Sequence, residues 1–142
     1  MLGIADADSA ENNRASATWV VTPLYCAVPR GPGDPPTLHD LHPIRLQPGS
    51  RLHSIYGLDT IQAAHFCNYG LNPEYLPRFQ AAGMRVAGLG DAGDIRAMEI
   101  PEHRFYVATL FHPQLESQPE RPSPLVTALV NAARGCADSA RC

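Results

Sequence analysis

No apolar run in the chain approaches the roughly 20 residues that a membrane helix needs. Met1, Leu2 and Gly3 lead into acidic residues instead of the basic start of a secretory signal. A cytoplasmic location without a membrane partner is therefore expected. The four cysteines, Cys26, Cys67, Cys136 and Cys142, contain no C-x-x-C pair. Without sign of a secreted disulfide framework, reduced thiols are expected. Basic residues are scattered and the formal net charge is −3, which argues against nucleic acid as a partner. Gly88-Leu89-Gly90-Asp91 lacks the G-x-G-x-x-G order and opens no helix, so it is turn chemistry, and no phosphate-cradling loop occurs elsewhere. His39-Asp40-Leu41-His42 sets two imidazoles three apart, but it lies between prolines without a further ligand at metal spacing. A solvated loop, no metal and no cofactor are expected. No internal repeat is present.

What the chain does have is 142 residues and 44% hydrophobic content, enough for one domain with one core. The first 16 residues are polar and alanine-rich and give no clear strand or helix; Asp6, Asp8 and Glu11 fit an exposed segment. Residues 17–27 are β-branched and aromatic and predict a strand bent or edged at Pro23. Residues 30–36 form a loop by composition, 43–47 a short strand, 51–56 a helical turn and 59–69 an extended segment. Asn72 and Pro73 predict a helix start, and Gly83 its end. Residues 84–89 and 95–100 predict a hairpin across Gly90-Asp91-Ala92-Gly93. Ser123-Pro124 opens a helix whose apolar face is Leu125, Val126, Leu129, Val130 and Ala133.

The most informative stretch is Phe105-Tyr106-Val107-Ala108-Thr109-Leu110-Phe111-His112-Pro113-Gln114. Its apolar run predicts a central strand buried on both faces, and Pro113 should stop it. His112 is then left at the C-terminal end, the edge where open α/β sheets bind ligands and where an imidazole can act as a base. The string resembles the F-H-P-E signature of class I glutamine amidotransferases, and in particular the C-terminal glutaminase domain of CTP synthases. Leu46-Gln47-Pro48-Gly49-Ser50-Arg51 with Ile55-Tyr56-Gly57 is similar to that family's L-x-P-G-[ST] segment, and Arg121-Pro122-Ser123-Pro124-Leu125 to its R-P-H-P-L-F ending. Ala5-Asp6-Ala7-Asp8-Ser9-Ala10-Glu11 is more weakly similar to its N-A-N-S-T-E stretch.

The resemblance implies an α/β, flavodoxin-like, three-layer fold of which this chain carries the C-terminal, strand-rich portion. Residues 1–16 would be a polar segment, 17–134 the partial domain and 135–142 a tail. It also implies glutamine hydrolysis feeding ammonia to the conversion of UTP to CTP, by a cysteine nucleophile, a histidine base and an orienting glutamate. The histidine maps onto His112 and the glutamate position onto Gln114, an amide without charge to stabilise an imidazolium.

Two further departures stand out. No Gly-x-Cys-x-Gly elbow occurs in the chain, which starts about where the segment after the elbow helix would start. In His65-Phe66-Cys67-Asn68-Tyr69-Gly70-Leu71-Asn72, similar to the family's H-R-H-R-Y-E-F-N, Asn68 replaces the arginine that helps hold glutamine and Cys67 replaces a histidine. Expected partners are glutamine, a synthetase or upstream amidotransferase portion, and a second copy through exposed sheet edges. Three readings stay open: a glutaminase domain, a non-catalytic binding module, and a thiol-redox protein using Cys67 with His112. A small, partly buried Cys67 without chemistry fits the same residues.

Overall fold

The structure, a computed structural model, describes residues 2–24, 41–65 and 69–139, the last four as backbone alone. Cys26, Cys67, Asn68, His39 and the 30–36 loop lie outside the described residues.

Five strands form an antiparallel sheet in the order β4-β3-β6-β7-β8. They are β3 (Leu41–Leu46), β4 (Thr60–Ala64), β6 (Arg85–Leu89), β7 (Ile95–Glu99) and β8 (Val107–Thr109). Ile44 faces Ile61 across β3 and β4, and both are buried with Leu46, Ala63, Ala87 and Ala97, as period-two patterning dictates. Pro43 is tolerated inside β3 because β6 pairs only with Arg45 and Leu46, leaving the strand one-sided at the proline. A Cβ at Gly88 would lie 3.0 Å from Ile44 and 3.3 Å from Ala97, so only glycine lets these strands close. The predicted hairpin is present: Gly90 N–H donates to the Asp94 carbonyl at 2.9 Å, and Gly93 takes φ +78°.

The expected central strand is corrected. The buried strand is β7, in which Arg96, Ala97, Met98 and Glu99 are all buried. β8 lies at the end of the sheet, is three residues long and leaves Ala108 exposed. The strand stops at Thr109, whose hydroxyl donates to the Phe111 carbonyl at 3.0 Å and turns the chain well before Pro113. The apolarity of the run is used in that turn, where Phe111 plugs the core against Leu52 and Leu125.

A second sheet joins β1 (Asp8–Ser9), β2 (Trp19–Pro23) and β5 (Tyr69–Leu71), with β2 central. The first 16 residues are thus not featureless: β1 runs parallel to β2, and Ala10, 4% exposed, donates to the Val21 carbonyl. Asn72 caps the 3₁₀ turn Pro73–Tyr75 that leads into α2 (Leu76–Ala81), and its amide also donates to the Trp19 carbonyl.

α1 (Arg51–Tyr56) begins where the Leu-x-Pro-Gly-Ser motif ends, and each motif residue has a local task. Gly49 takes φ +78°, Ser50 accepts from His53 N–H at 2.9 Å, and Gln47 N–H donates to the Ala87 carbonyl. The guanidinium of Arg51 donates to the carbonyls of Pro101, His103 and Arg104. Fully buried Glu99 closes the arrangement, accepting from the Arg51 and Leu52 amides at the start of α1 and from Arg85 at 2.7 Å. Negative charge at a helix start is favourable.

α3 (Pro124–Ser139) holds a second correction. Only Leu125 of its expected face is buried; Val126, Leu129 and Val130 are 38%, 51% and 44% exposed, and Ala133 is exposed. The helix touches α1 through its first turn, and its later turns project past the sheet. It also continues through Gly135 to Ser139, where a tail was expected.

Replacing Glu99 by Gln keeps its shape but leaves the Arg85 guanidinium and two helix amides facing a neutral group. We expect a loss of about 2 kcal/mol of stability, measured as a lower urea midpoint; a change under about 0.5 kcal/mol, the usual surface effect, would show that Glu99 is not an anchor.

Candidate functional site

His112 is set by two backbone bonds that close the sheet on itself. Leu110 N–H donates to the Arg96 carbonyl on β7 at 2.8 Å, and His112 N–H donates to the Ala64 carbonyl at the end of β4 at 2.9 Å. Since β4 and β8 are the outer strands, the segment after β8 bridges one edge to the other. His112 is half-buried and precedes the 3₁₀ turn Pro113–Glu116.

Beside it lies a cluster that inspection of the sequence missed. His65 follows β4, is 6% exposed, and presents Nδ1 to Arg96 Nη1 at 3.2 Å. Arg96, also buried, forms an ion pair through Nε with Asp94. The His42 ring packs on His65 with centroids 4.3 Å apart. The expected solvated loop at His42 is therefore corrected, because His42 belongs to β3 and is half-buried on another imidazole. Burial, then the Arg96 charge, then His42, drives the His65 pKa down to about 4, with His112 adding in the same direction and Asp94 opposing. The overlooked signal was Asp94-x-Arg96, two charges entering an otherwise apolar strand.

Gln114 sits in the turn after His112 with its side chain exposed, and its carbonyl accepts from Ser117 N–H at 3.2 Å. The acid of that turn is Glu116, which points to Tyr56 of α1 and Ser123 before α3. Burial first, and the Glu116 charge second, push the Tyr56 hydroxyl up to about 12, while Ser123 acts the other way. Burial also raises the Glu116 carboxyl, against Tyr56 and Arg121. Cys67 and Asn68, the expected substrate contacts, fall outside the described residues.

An apolar cavity of about 270 Å³ separates the two sheets, walled by Val21, Leu71, Met98 and Leu110 and touching Arg96. His112 is not among its described lining residues, so this cavity is distinct from the surface around His112. Among the described residues no group of three or more His, Cys, Asp or Glu is placed to hold a metal ion. No helix of the described residues is long and apolar enough to cross a membrane.

The fold and the position of His112 define a class I glutamine amidotransferase-type α/β domain. Within that class the similarity is to the glutaminase domain of CTP synthase. The chain superposes on the glutaminase domain of Trypanosoma brucei CTP synthase with bound acivicin at a TM-score of 0.76, with 25% identity, over 94% of this chain and 53% of that one. In sequence it is 38% identical over 93 residues to the CTP synthase of Roseiflexus, covering 65% of this chain and 17% of the relative. It is 33% identical over 97 residues to that of Thermococcus kodakarensis, covering 66% and 18%. The chain thus spans under a fifth of the length of these curated relatives. No family model matches it.

The low pKa of His65 carries a pH dependence with a definite sign. Between about 6.5, the unfolded value, and about 4 the unfolded chain binds a proton that the folded one refuses. This contribution to stability is full above about pH 6.5 and is lost as pH falls through that window. The raised Glu116 carboxyl works oppositely, so the effect is read as wild type against His65→Gln. We expect urea midpoints from pH 7 to pH 4 to fall more steeply in wild type, by no more than about 3 kcal/mol in total. Parallel curves would show that His65 titrates normally.

Proposed function

We propose that this chain supplies the histidine side of a glutamine-hydrolysing site, with the cysteine coming from a Gly-x-Cys-x-Gly elbow not among these 142 residues. The reading is supported chiefly by the superposition on a glutaminase domain over 94% of the chain. In this scheme the cysteine thiolate attacks the carboxamide carbon of glutamine, and protonated His112 gives its proton to the departing nitrogen. Ammonia leaves and a thioester remains. His112 then takes a proton from water, whose oxygen attacks the thioester and releases glutamate and the thiol. The ammonia would pass to a synthetase portion that aminates UTP to CTP in the cytoplasm. Val126, Leu129 and Val130 leave α3 an apolar surface suited to a covering polypeptide or a second copy.

Gln114 and Asn68 favour a second reading, a domain that binds glutamine without hydrolysing it. A carboxamide cannot hold an imidazolium as a carboxylate does, and the matching change in a serine-protease triad costs about 10⁴ in rate. The native protein, assayed for ammonia release from glutamine, should be slow, silenced by His112→Gln, and accelerated by up to ~10⁴ on Gln114→Glu. Glutamine binding by calorimetry without ammonia release in any variant would establish the second reading. Release that survives His112→Gln would end the first.

A further inference from the structure

Three imidazoles, a guanidinium and a carboxylate meet where β3, β4, β7 and the segment after β8 converge. The groups facing His65 are His42 from β3, Asp94 and Arg96 from β7 and its approach, and His112 from beyond β8. Arg96 is the group that restricts the others. A guanidinium has donors only and keeps its charge, so the 3.2 Å contact with His65 Nδ1 requires that nitrogen to accept. Nδ1 therefore carries no proton, and the ring proton must sit on Nε2. Arg96 cannot swing away, since its Nε is held by Asp94 and its backbone carbonyl by Leu110. The same backbone pairing ties the candidate base to this neighbourhood: His112 donates to Ala64, the residue before His65.

We propose that the Asp94–Arg96 pair makes His65 a permanently neutral, Nε2-protonated neighbour of His112, and that His65 is a positioning residue which holds the site's mobile proton on His112. The inference rests on the reading of His112 as the base. It gives His112 a source of order that the exposed Gln114 does not supply. A neutral His65 adds no second positive charge beside an imidazolium at position 112, and its Nε2–H is a fixed donor on the ring edge away from Arg96. Were His65 free to protonate, the guanidinium and two imidazoliums would crowd one buried site, and like charges at this range exclude one another.

The test uses the native protein labelled with ¹⁵N-histidine. Long-range ¹H–¹⁵N correlation spectra from pH 8 to pH 5 report each ring's tautomer and titration without any glutamine. His65 should stay neutral with the proton on Nε2 throughout, while His112 titrates. An Nδ1-protonated or doubly protonated His65 in that range would overturn the proposal, and no variant is needed to see it. His65→Gln, which keeps a donor near the Nε2 position, should leave the His112 midpoint close to wild type. His65→Leu should move it by about one pH unit, the size of one lost polar contact. A His112 midpoint equal in both variants would reduce His65 to a packing residue and overturn the proposal. Loss of ammonia release in none of the variants, with the tautomer as described, would instead count against the reading of His112 as the base.

Discussion

Glu99 has no exposed surface, yet its carboxylate gathers three distant parts of the chain: the amides that open α1, the Arg85 guanidinium on β6, and its own strand β7. Removing an acid from water is expensive unless every oxygen finds a donor. Here the helix amides and the guanidinium supply them, and the helix field at that end favours the charge. Ser50 caps the same helix, and Arg51 reaches the other way to three carbonyls between Pro101 and Arg104. The loop before β8 is therefore fixed to the start of α1 by the same few residues that bury Glu99. The direction in which the chain enters β8, and with it the path to His112, follows from that clamp.

From there the geometry of the site is a matter of sheet closure. β8 adds to β7, turns at Thr109 and crosses to the far edge, where His112 pairs with Ala64. A histidine at the end of an open sheet would have one neighbour strand. This one is bracketed by β7 and β4, which explains why its surroundings include His65, Arg96 and Asp94 as well as the turn that follows it. The Phe111 side chain enters the core one residue earlier, 1% exposed, so the His112 backbone cannot shift without disturbing the main packing cluster.

Features written in consecutive residues were legible in the sequence. The α1 segment 51–56, the Asn72-Pro73 start and the Gly90–Gly93 turn depend on caps, proline and glycine acting within a few residues, and the structure has all three. What depended on distant partners was not legible. The apolar run 105–111 has the composition of a central strand, but composition cannot tell burial between strands from burial by a turn that drops Phe111 into the core. The face of α3 is apolar at helical spacing as the sequence indicates, yet helical spacing names a face without naming its neighbour. His112 was found because a short motif marks it. His65, Arg96 and Asp94 lie about 30 residues or more from one another or from His112, apart from the Asp94–Arg96 step, and only the sheet brings them together.

β7 explains why the scaffold and the candidate site cannot vary independently. Side chains alternate across a strand, so Arg96 and Met98 face the second sheet while Ala97 and Glu99 face α1. Each charge meets its partner only in this register: Arg96 with Asp94 and His65, Glu99 with Arg85 and the helix amides. Buried ion pairs contribute little net stability compared with apolar replacements, but a separated one costs several kcal/mol. A slip of one residue would turn the guanidinium toward the start of α1 and the carboxylate toward the inter-sheet cavity. Both charges would be unpaired at once. The two pairs thus act as register pins whose value lies in what they forbid, and one strand sets both the helix anchor and the imidazole cluster beside His112.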